Sequence, residues 1–283
     1  MSAHGPTERG ETLPRRVVGV VHLAPLPGSV RGGSSRDLPV LIDSAKSDAA
    51  AYAAGGVDAL IVENFGDVPF TSGAVAPQVV AAMTLAVAAV RTETDLPVGV
   101  NVLRNDVLSA VAIAAMAGGS FVRANVYVGA AVTDQGVIEG RAEEVQLLIR
   151  RLDAPVVVWA DVDVKHASPL TPRPLGEIAA DAVVRGLAGA VVVTGRRTGQ
   201  PVAEDDLAEV RAAVPTTPLF VGSGATADRL GSLLPPADGV IVGTAAKRDG
   251  VVSNPVDVQR VRAVVTAARE AATRGGAPVP GQA

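Results

Sequence analysis

The sequence predicts an α/β protein of one domain, a closed (β/α)8 TIM barrel spanning residues 15–273, and three observations carry that prediction. Eight short runs rich in Val and Ile alternate with stretches of helical spacing, and strand alternating with helix is the pattern of a parallel barrel. The chain is 48% hydrophobic but only 2% aromatic, so Val, Ile, Ala and Leu are expected to fill the core. Val and Ile suit strands buried on both faces, and Ala and Leu suit the helices that cover them. The connections are also unequal: tight from helix to strand, long from strand to helix. In a barrel the strand-to-helix loops carry function and the others serve stability. An open, doubly wound sheet is the competing arrangement, and the fixed eightfold alternation favours closure.

The expected strands are residues 17–23, 59–63, 98–102, 121–126, 156–161, 190–194, 219–222 and 239–243. Each is short, continuous and β-branched, as a doubly buried strand should be. Helical spacing covers residues 41–54, 78–90, 106–117, 141–152, 175–186, 204–214 and 256–272. The long strand-to-helix connections are residues 24–38, 64–75, 127–140 and 164–174, and length beyond what a connection needs predicts lids or binding loops. Residues 1–14 and 274–283 read as disordered tails.

A formal net charge of −4 gives no basic footprint for nucleic acid. The basic pairs Arg15-Arg16, Arg150-Arg151, Arg196-Arg197 and Lys247-Arg248 read mostly as solvated faces. With no cysteine, disulfides, thiolate metal sites and cysteine nucleophiles are excluded. The first sixteen residues lack the apolar segment of a secretory signal, and the longest apolar run, residues 79–90, is too short for a bilayer that takes about 20. The expectation is a cytoplasmic protein without a membrane span, and a homo-oligomer is compatible with it.

The strongest local chemistry lies in the last two units. Strand seven runs into Gly222, Ser223 and Gly224, and strand eight into Gly243 and Thr244. Glycines there let the backbone approach a ligand, and the helix that follows presents free N–H groups to an anion. These five residues are the candidate phosphate site; the plainer reading is that the glycines make tight turns. Thr194 ends strand six beside them. Strand five ends in Asp161, Asp163, Lys165 and His166, with the first three on one side if the strand stays extended. Lys165 could be a Schiff-base nucleophile, a phosphate partner or a general acid/base, or it could pair structurally with an aspartate. Polar residues end the other strands too: His22, Glu63 and Asn64, Asn101, Arg123 and Asn125. Glu63, Asp161, Lys165 and His22 are the catalytic candidates; Asn101, Arg123, Asn125, Asp163, His166 and Thr194 are the substrate-binding ones. His22, Glu63, Asp161 and Asp163 could also hold a divalent metal ion, with Glu63 and Asp161 its first carboxylates.

Several segments together resemble the BtpA/SgcQ family: Gly19 to Leu23 with Pro25 to Gly28, Val62 to Phe70, Asn101 to Asp106, Val122 to Val126, Ala160 to Val162 with Lys165 to Ala167, Val193 to Gly195 with Thr198-Gly199, and Val221 to Gly224. The resemblance covers about residues 16–270, with Ala24 and a Gly/Ser-rich first loop as small departures. It implies a barrel of the ribulose-phosphate-binding type. The cyanobacterial founder is linked to photosystem I biogenesis, and another member sits among genes for sugar uptake and sugar phosphates. Two readings follow. One is an enzyme, an isomerase, epimerase or lyase, acting on a sugar phosphate or related phosphorylated small molecule. The other is a non-catalytic assembly or stability factor, which would need an exposed apolar patch. Phe65, Phe70 and Tyr127, in or near mouth loops, are the only aromatics on offer for one, which favours the enzyme. A ligand-gated regulator shares every feature of the first reading.

Overall fold

A computed structural model describes residues 16–163, 167–195 and 202–275. All eight expected strand segments become strands of one barrel: β1 (Arg16–His22), β2 (Ala59–Glu63), β3 (Val98–Asn101) and β4 (Phe121–Ala124) come first. After two inserted strands, β5 (Ala130–Thr133) and β6 (Gly136–Glu139), the barrel continues with β7 (Val157–Asp163). A third insertion, β8 (Ala167–Pro169), precedes β9 (Ala190–Val193), β10 (Leu219–Val221) and β11 (Gly239–Val242). The barrel order is β1-β11-β10-β9-β7-β4-β3-β2, closed, with every neighbouring pair parallel. The surrounding helices are α1 (Leu38–Gly55), α2 (Pro77–Glu93), α3 (Val107–Ala117), α4 (Ala142–Arg151), α5 (Leu175–Ala180), α6 (Glu204–Ala213), the short α7 (Leu230–Leu233) and α8 (Val258–Gly275). Among the described residues no helix is long and apolar enough to cross a membrane.

Period-two alternation divides the core into two compartments. Outward-facing Val17, Val21, Leu60, Val62, Val100, Val122, Val191 and Val240 pack with the helices in one large cluster. Inward-facing Val18, Val20, Ala59, Ile61, Phe121, Trp159, Ala190, Val192, Phe220 and Ile241 form a separate cluster inside the barrel. At Gly19 an outward Cβ would come within 2.5 Å of the Tyr52 ring, so the glycine makes the slot that α1 fills. The Tyr52 hydroxyl then donates to the carbonyls of Val20 and Val242, tying α1 across the β1–β11 seam.

The structure corrects two expectations. Aliphatic side chains do not fill the interior alone: Phe121 and Trp159 stack with centroids 4.1 Å apart, and Phe220 covers the other face of Trp159 at 4.2 Å. Small residues make this possible, since a Cβ at inward-facing Gly99 would stand 2.2 Å from the Phe121 ring. Few aromatics in the chain did not mean few in the barrel. The loops at 127–140 and 164–174 are not plain loops either. They form a three-stranded antiparallel sheet, β6-β5-β8, whose Ala131 and Ile138 pack on Val126. Strands of three or four residues are too short to show a period, and Gly136, at φ +102°, turns the hairpin.

Candidate functional site

Two residues beyond the inward-facing apolar cluster, the same strand faces carry His22, Glu63, Asn101, Arg123, Asp161 and Thr194, with Gly222 and Gly243 at the matching positions after β10 and β11. The pleat that points Val20 or Trp159 inward must point His22 or Asp161 inward as well. The ring is buried: Asn101 is 1% exposed, Thr194 4% and Glu63 7%. Polar groups at such depth are costly unless partnered, and most of these have partners.

Arg123 and Asp161 form a two-pronged pair, Nε to Oδ1 at 2.9 Å and Nη2 to Oδ2 at 3.0 Å. Asn125, one inward step further along, donates its amide to Asp161 Oδ2 at 2.8 Å. The Asp161 side chain has no exposed surface. Burial pushes its carboxyl up from the ordinary range, against the pull of Arg123 and of Asn125. Across the ring, Asn101 Nδ2 donates to Glu63 Oε2 at 2.7 Å. His22 Nε2 stands 3.9 Å from Glu63 Oε1, too far for a hydrogen bond. Burial, then the nearby Lys247 charge, lowers the His22 pKa to about 3, so the imidazole is neutral at physiological pH. Phe65 lies tilted against the His22 ring at 4.8 Å, and a Cβ at Gly243 would meet that ring at 2.6 Å.

Lys247 does not lie on a solvated face. It is 2% exposed, with Nζ 2.5 Å from Asp48 Oδ2 on α1, while Asp48 Oδ1 accepts from the Val256 backbone at 2.8 Å. The pair holds the turn after β11 against α1. Its signal in the sequence was weak, because Asp48 sits among alanines about 200 residues away.

The glycine loops follow β10 and β11. Gly222 gives its N–H to the Val193 carbonyl, so it cannot direct that donor at a ligand. It contributes space instead: a Cβ there would stand 2.7 Å from Thr194 Cγ2 and 3.1 Å from Arg123 Nη2. The Ser223 hydroxyl accepts from the Gly195 N–H at 3.1 Å, joining loops six and seven. Gly224 sits at φ +70°, a conformation that favours glycine. Thr244 opens a short 3-10 turn whose first N–H groups have no partner within the turn. On the opposite rim Asn64 accepts from the Leu103 N–H and donates to Asp67, and Asp67 accepts from the Leu26 N–H. Asn64 therefore binds loops one to three together rather than facing the mouth. A cavity of about 760 Å³ opens beside Asn125 and Asp161 and runs under β5 and β8 to α5; none of the glycine loops lines it.

Lys165 and His166, together with Arg196 and Arg197, lie outside the described residues, and only the backbone of Asp163 is described, in β7. Nor does a divalent cation fit the described donor set. Both Asp161 oxygens already accept from Arg123 and Asn125, and no three His, Asp or Glu side chains converge among the described residues.

The family model for BtpA matches residues 14–270. The chain belongs to the BtpA family. Two relatives match it over most of their length. Photosystem I biogenesis protein BtpA of Synechocystis is 46% identical over 90% of this chain and 88% of its own. An uncharacterized protein of Thermococcus kodakarensis is also 46% identical, over 90% of this chain and 95% of its own. Among solved structures, N-(5'-phosphoribosyl)anthranilate isomerase from Pyrococcus furiosus superposes with a TM-score of 0.53 at 11% identity, covering 90% of this chain and 98% of that one. At that identity the likeness is one of fold.

Proposed function

We propose that this BtpA-family barrel is an enzyme that takes a phosphorylated small molecule, a sugar phosphate or related metabolite, into its mouth and works as an isomerase, epimerase or lyase. The observation that carries the reading is Glu63: a buried carboxylate oriented by Asn101 and set 3.9 Å from a neutral imidazole. A carboxylate so placed can remove a proton from a carbon next to a carbonyl. Neutral His22 can donate to the oxygen on which charge then develops, and the two together can return the proton elsewhere. Arg123, paired two-pronged with Asp161, is fixed in place at the ring. Ser223, Gly224 and Thr244 would hold the phosphate through backbone N–H groups, with Gly222 and Gly243 leaving it room. Asp163, Lys165 and His166, next in the sequence after Asp161, are proposed as further substrate-contacting groups. Of Lys165's alternatives we favour electrostatic stabilisation over a Schiff base, which needs a lowered pKa.

The printed name of the Synechocystis relative favours a second reading, an assembly or stability factor. A thermal-shift screen of sugar phosphates, followed by turnover assays on any hit, separates the two. A compound present at 100 times its Kd should add about 2.7 kcal/mol of stability. Glu63→Gln should keep that binding and lose turnover by about 10²–10⁴-fold. A hit that binds and is never consumed favours the non-catalytic reading; no phosphorylated hit at all removes the phosphate site.

A further inference from the structure

Two asparagines on neighbouring strands are locked in the same way. Asn101 turns its amide nitrogen to Glu63 at 2.7 Å, and Asn125 turns its own to Asp161 at 2.8 Å. Amide orientation is ambiguous in isolation, but here the partner decides it, because only the NH2 end can face a carboxylate. Each oxygen is therefore turned away from its carboxylate and can only accept. Asn125 is 5% exposed, and its Oδ1 is buried with no hydrogen-bond partner; His22 Nδ1 is likewise buried and unpaired. A buried acceptor without a donor is destabilising, and proteins rarely keep one. Asp161, with both oxygens engaged and no exposed surface, serves here as a positioning residue that fixes both Arg123 and Asn125.

The mouth is consequently polarised. On the β2–β4 side it presents Glu63 and the oxygens of Asn101 and Asn125, which all accept. On the β10–β11 side it presents glycine turns and the free N–H groups at Thr244, which donate. Arg123 belongs to the acceptor side, but Asp161 already neutralises it.

We infer that the ligand of this site carries hydrogen-bond donors, a run of hydroxyls and not a second acid group, at the end remote from its phosphate. This rests on the glycine loops being the phosphate anchor. A carboxylate at the far end would face Glu63 and two amide oxygens, and the cation nearest to it, Arg123, is already paired with Asp161. A hydroxyl can donate to Asn125 Oδ1 and still accept from solvent or from a neighbouring hydroxyl. The site then selects phosphorylated polyols and sugars over phosphorylated sugar acids of the same length.

The test is calorimetric titration of the parent protein with four probes: inorganic phosphate, glucitol, glucitol 6-phosphate and 6-phosphogluconate. The last two share a carbon skeleton and differ in CH2OH against COO⁻ at the far end. The expected result is that glucitol 6-phosphate binds at least tenfold more tightly than both inorganic phosphate and 6-phosphogluconate. Asn125→Leu should collapse the ratio of glucitol 6-phosphate to inorganic phosphate affinity towards one. If 6-phosphogluconate binds as tightly as glucitol 6-phosphate in the parent, the inference is overturned while the phosphate anchor stands. If glucitol binds as well as its phosphate and inorganic phosphate does not bind, the anchor is what fails. If no probe binds, both are overturned. The comparison within the parent needs no variant, so a misfolded Asn125→Leu would leave it decisive.

Discussion

The barrel interior has two storeys on the same strands, and they are held together by different physics. In the lower one Phe121, Trp159 and Phe220 stack against Val18, Ile61 and Val192, filling space by dispersion and by exclusion of water. One inward step up, about 6.6 Å along each strand, Arg123, Asp161, Glu63 and Asn101 occupy buried positions by pairing charge with charge and amide with carboxylate, with His22 half-buried beside Glu63. A side chain lost from the lower storey leaves a hole. A side chain lost from the upper storey leaves an unpaired partner. That contrast explains why the lower storey reads as stability and the upper one as a site: only the upper contains groups whose interactions a ligand could complete.

The sharpest way to break the comparison is to damage each storey and attempt a rescue. Trp159→Ala should lower unfolding free energy by about 3–5 kcal/mol in urea denaturation followed by circular dichroism, and no second substitution among its polar neighbours should restore it. Asp161→Leu should cost a similar about 3–5 kcal/mol, because it strands the Arg123 guanidinium. Adding Arg123→Met should recover much of that loss, since the stranded charge is gone. If Asp161→Leu alone is neutral, the upper storey is not held by the pair.

A smaller effect concerns pH. The His22 pKa falls from 6.5 to about 3 on folding, so the unfolded chain binds more protons between those values. Stability from this group is complete above about pH 6.5 and is lost as pH falls towards 3. Between pH 7 and pH 5 the loss should be about 2 kcal/mol. The His22→Gln variant should lack this loss, so the difference between parent and variant isolates it. The smallest expected effect is outside the barrel, at the exposed Arg141–Glu144 pair at the start of α4. Arg141→Ala should change the melting behaviour by less than about 0.5 kcal/mol, because solvent screens such pairs.

Much of this architecture is legible in the sequence. Short continuous apolar runs such as Val17 to Val21 and Val157 to Ala160 mark strands buried on both faces, and the polar residue that ends each run marks the mouth, so the ring residues could be named from the sequence. What such runs cannot reveal is partnership at long range. Asp161 reads as an available carboxylate, yet Arg123, 38 positions earlier, closes it off. Lys247 reads as half of a surface pair, yet Asp48 draws it into the core. The β5–β6 hairpin escaped because four-residue strands, with Val132 and Val137 exposed, carry no apolar run. The aromatic floor escaped because composition counts residues without saying where the small ones opposite them sit, Gly99 foremost.

The central claim is that the upper storey, opening towards the turns after β10 and β11, receives a phosphorylated ligand. Gly224→Asp tests it most directly, since Gly224 sits at φ +70° in a turn and an aspartate there adds both bulk and negative charge at the proposed anchor. Inorganic phosphate and glucitol 6-phosphate should each raise the melting temperature of the parent. In Gly224→Asp, shown by circular dichroism to be folded, both shifts should disappear while the aromatic floor keeps its native Trp159 fluorescence. Undiminished phosphate shifts in that folded variant would contradict the account and place the anion elsewhere on the barrel.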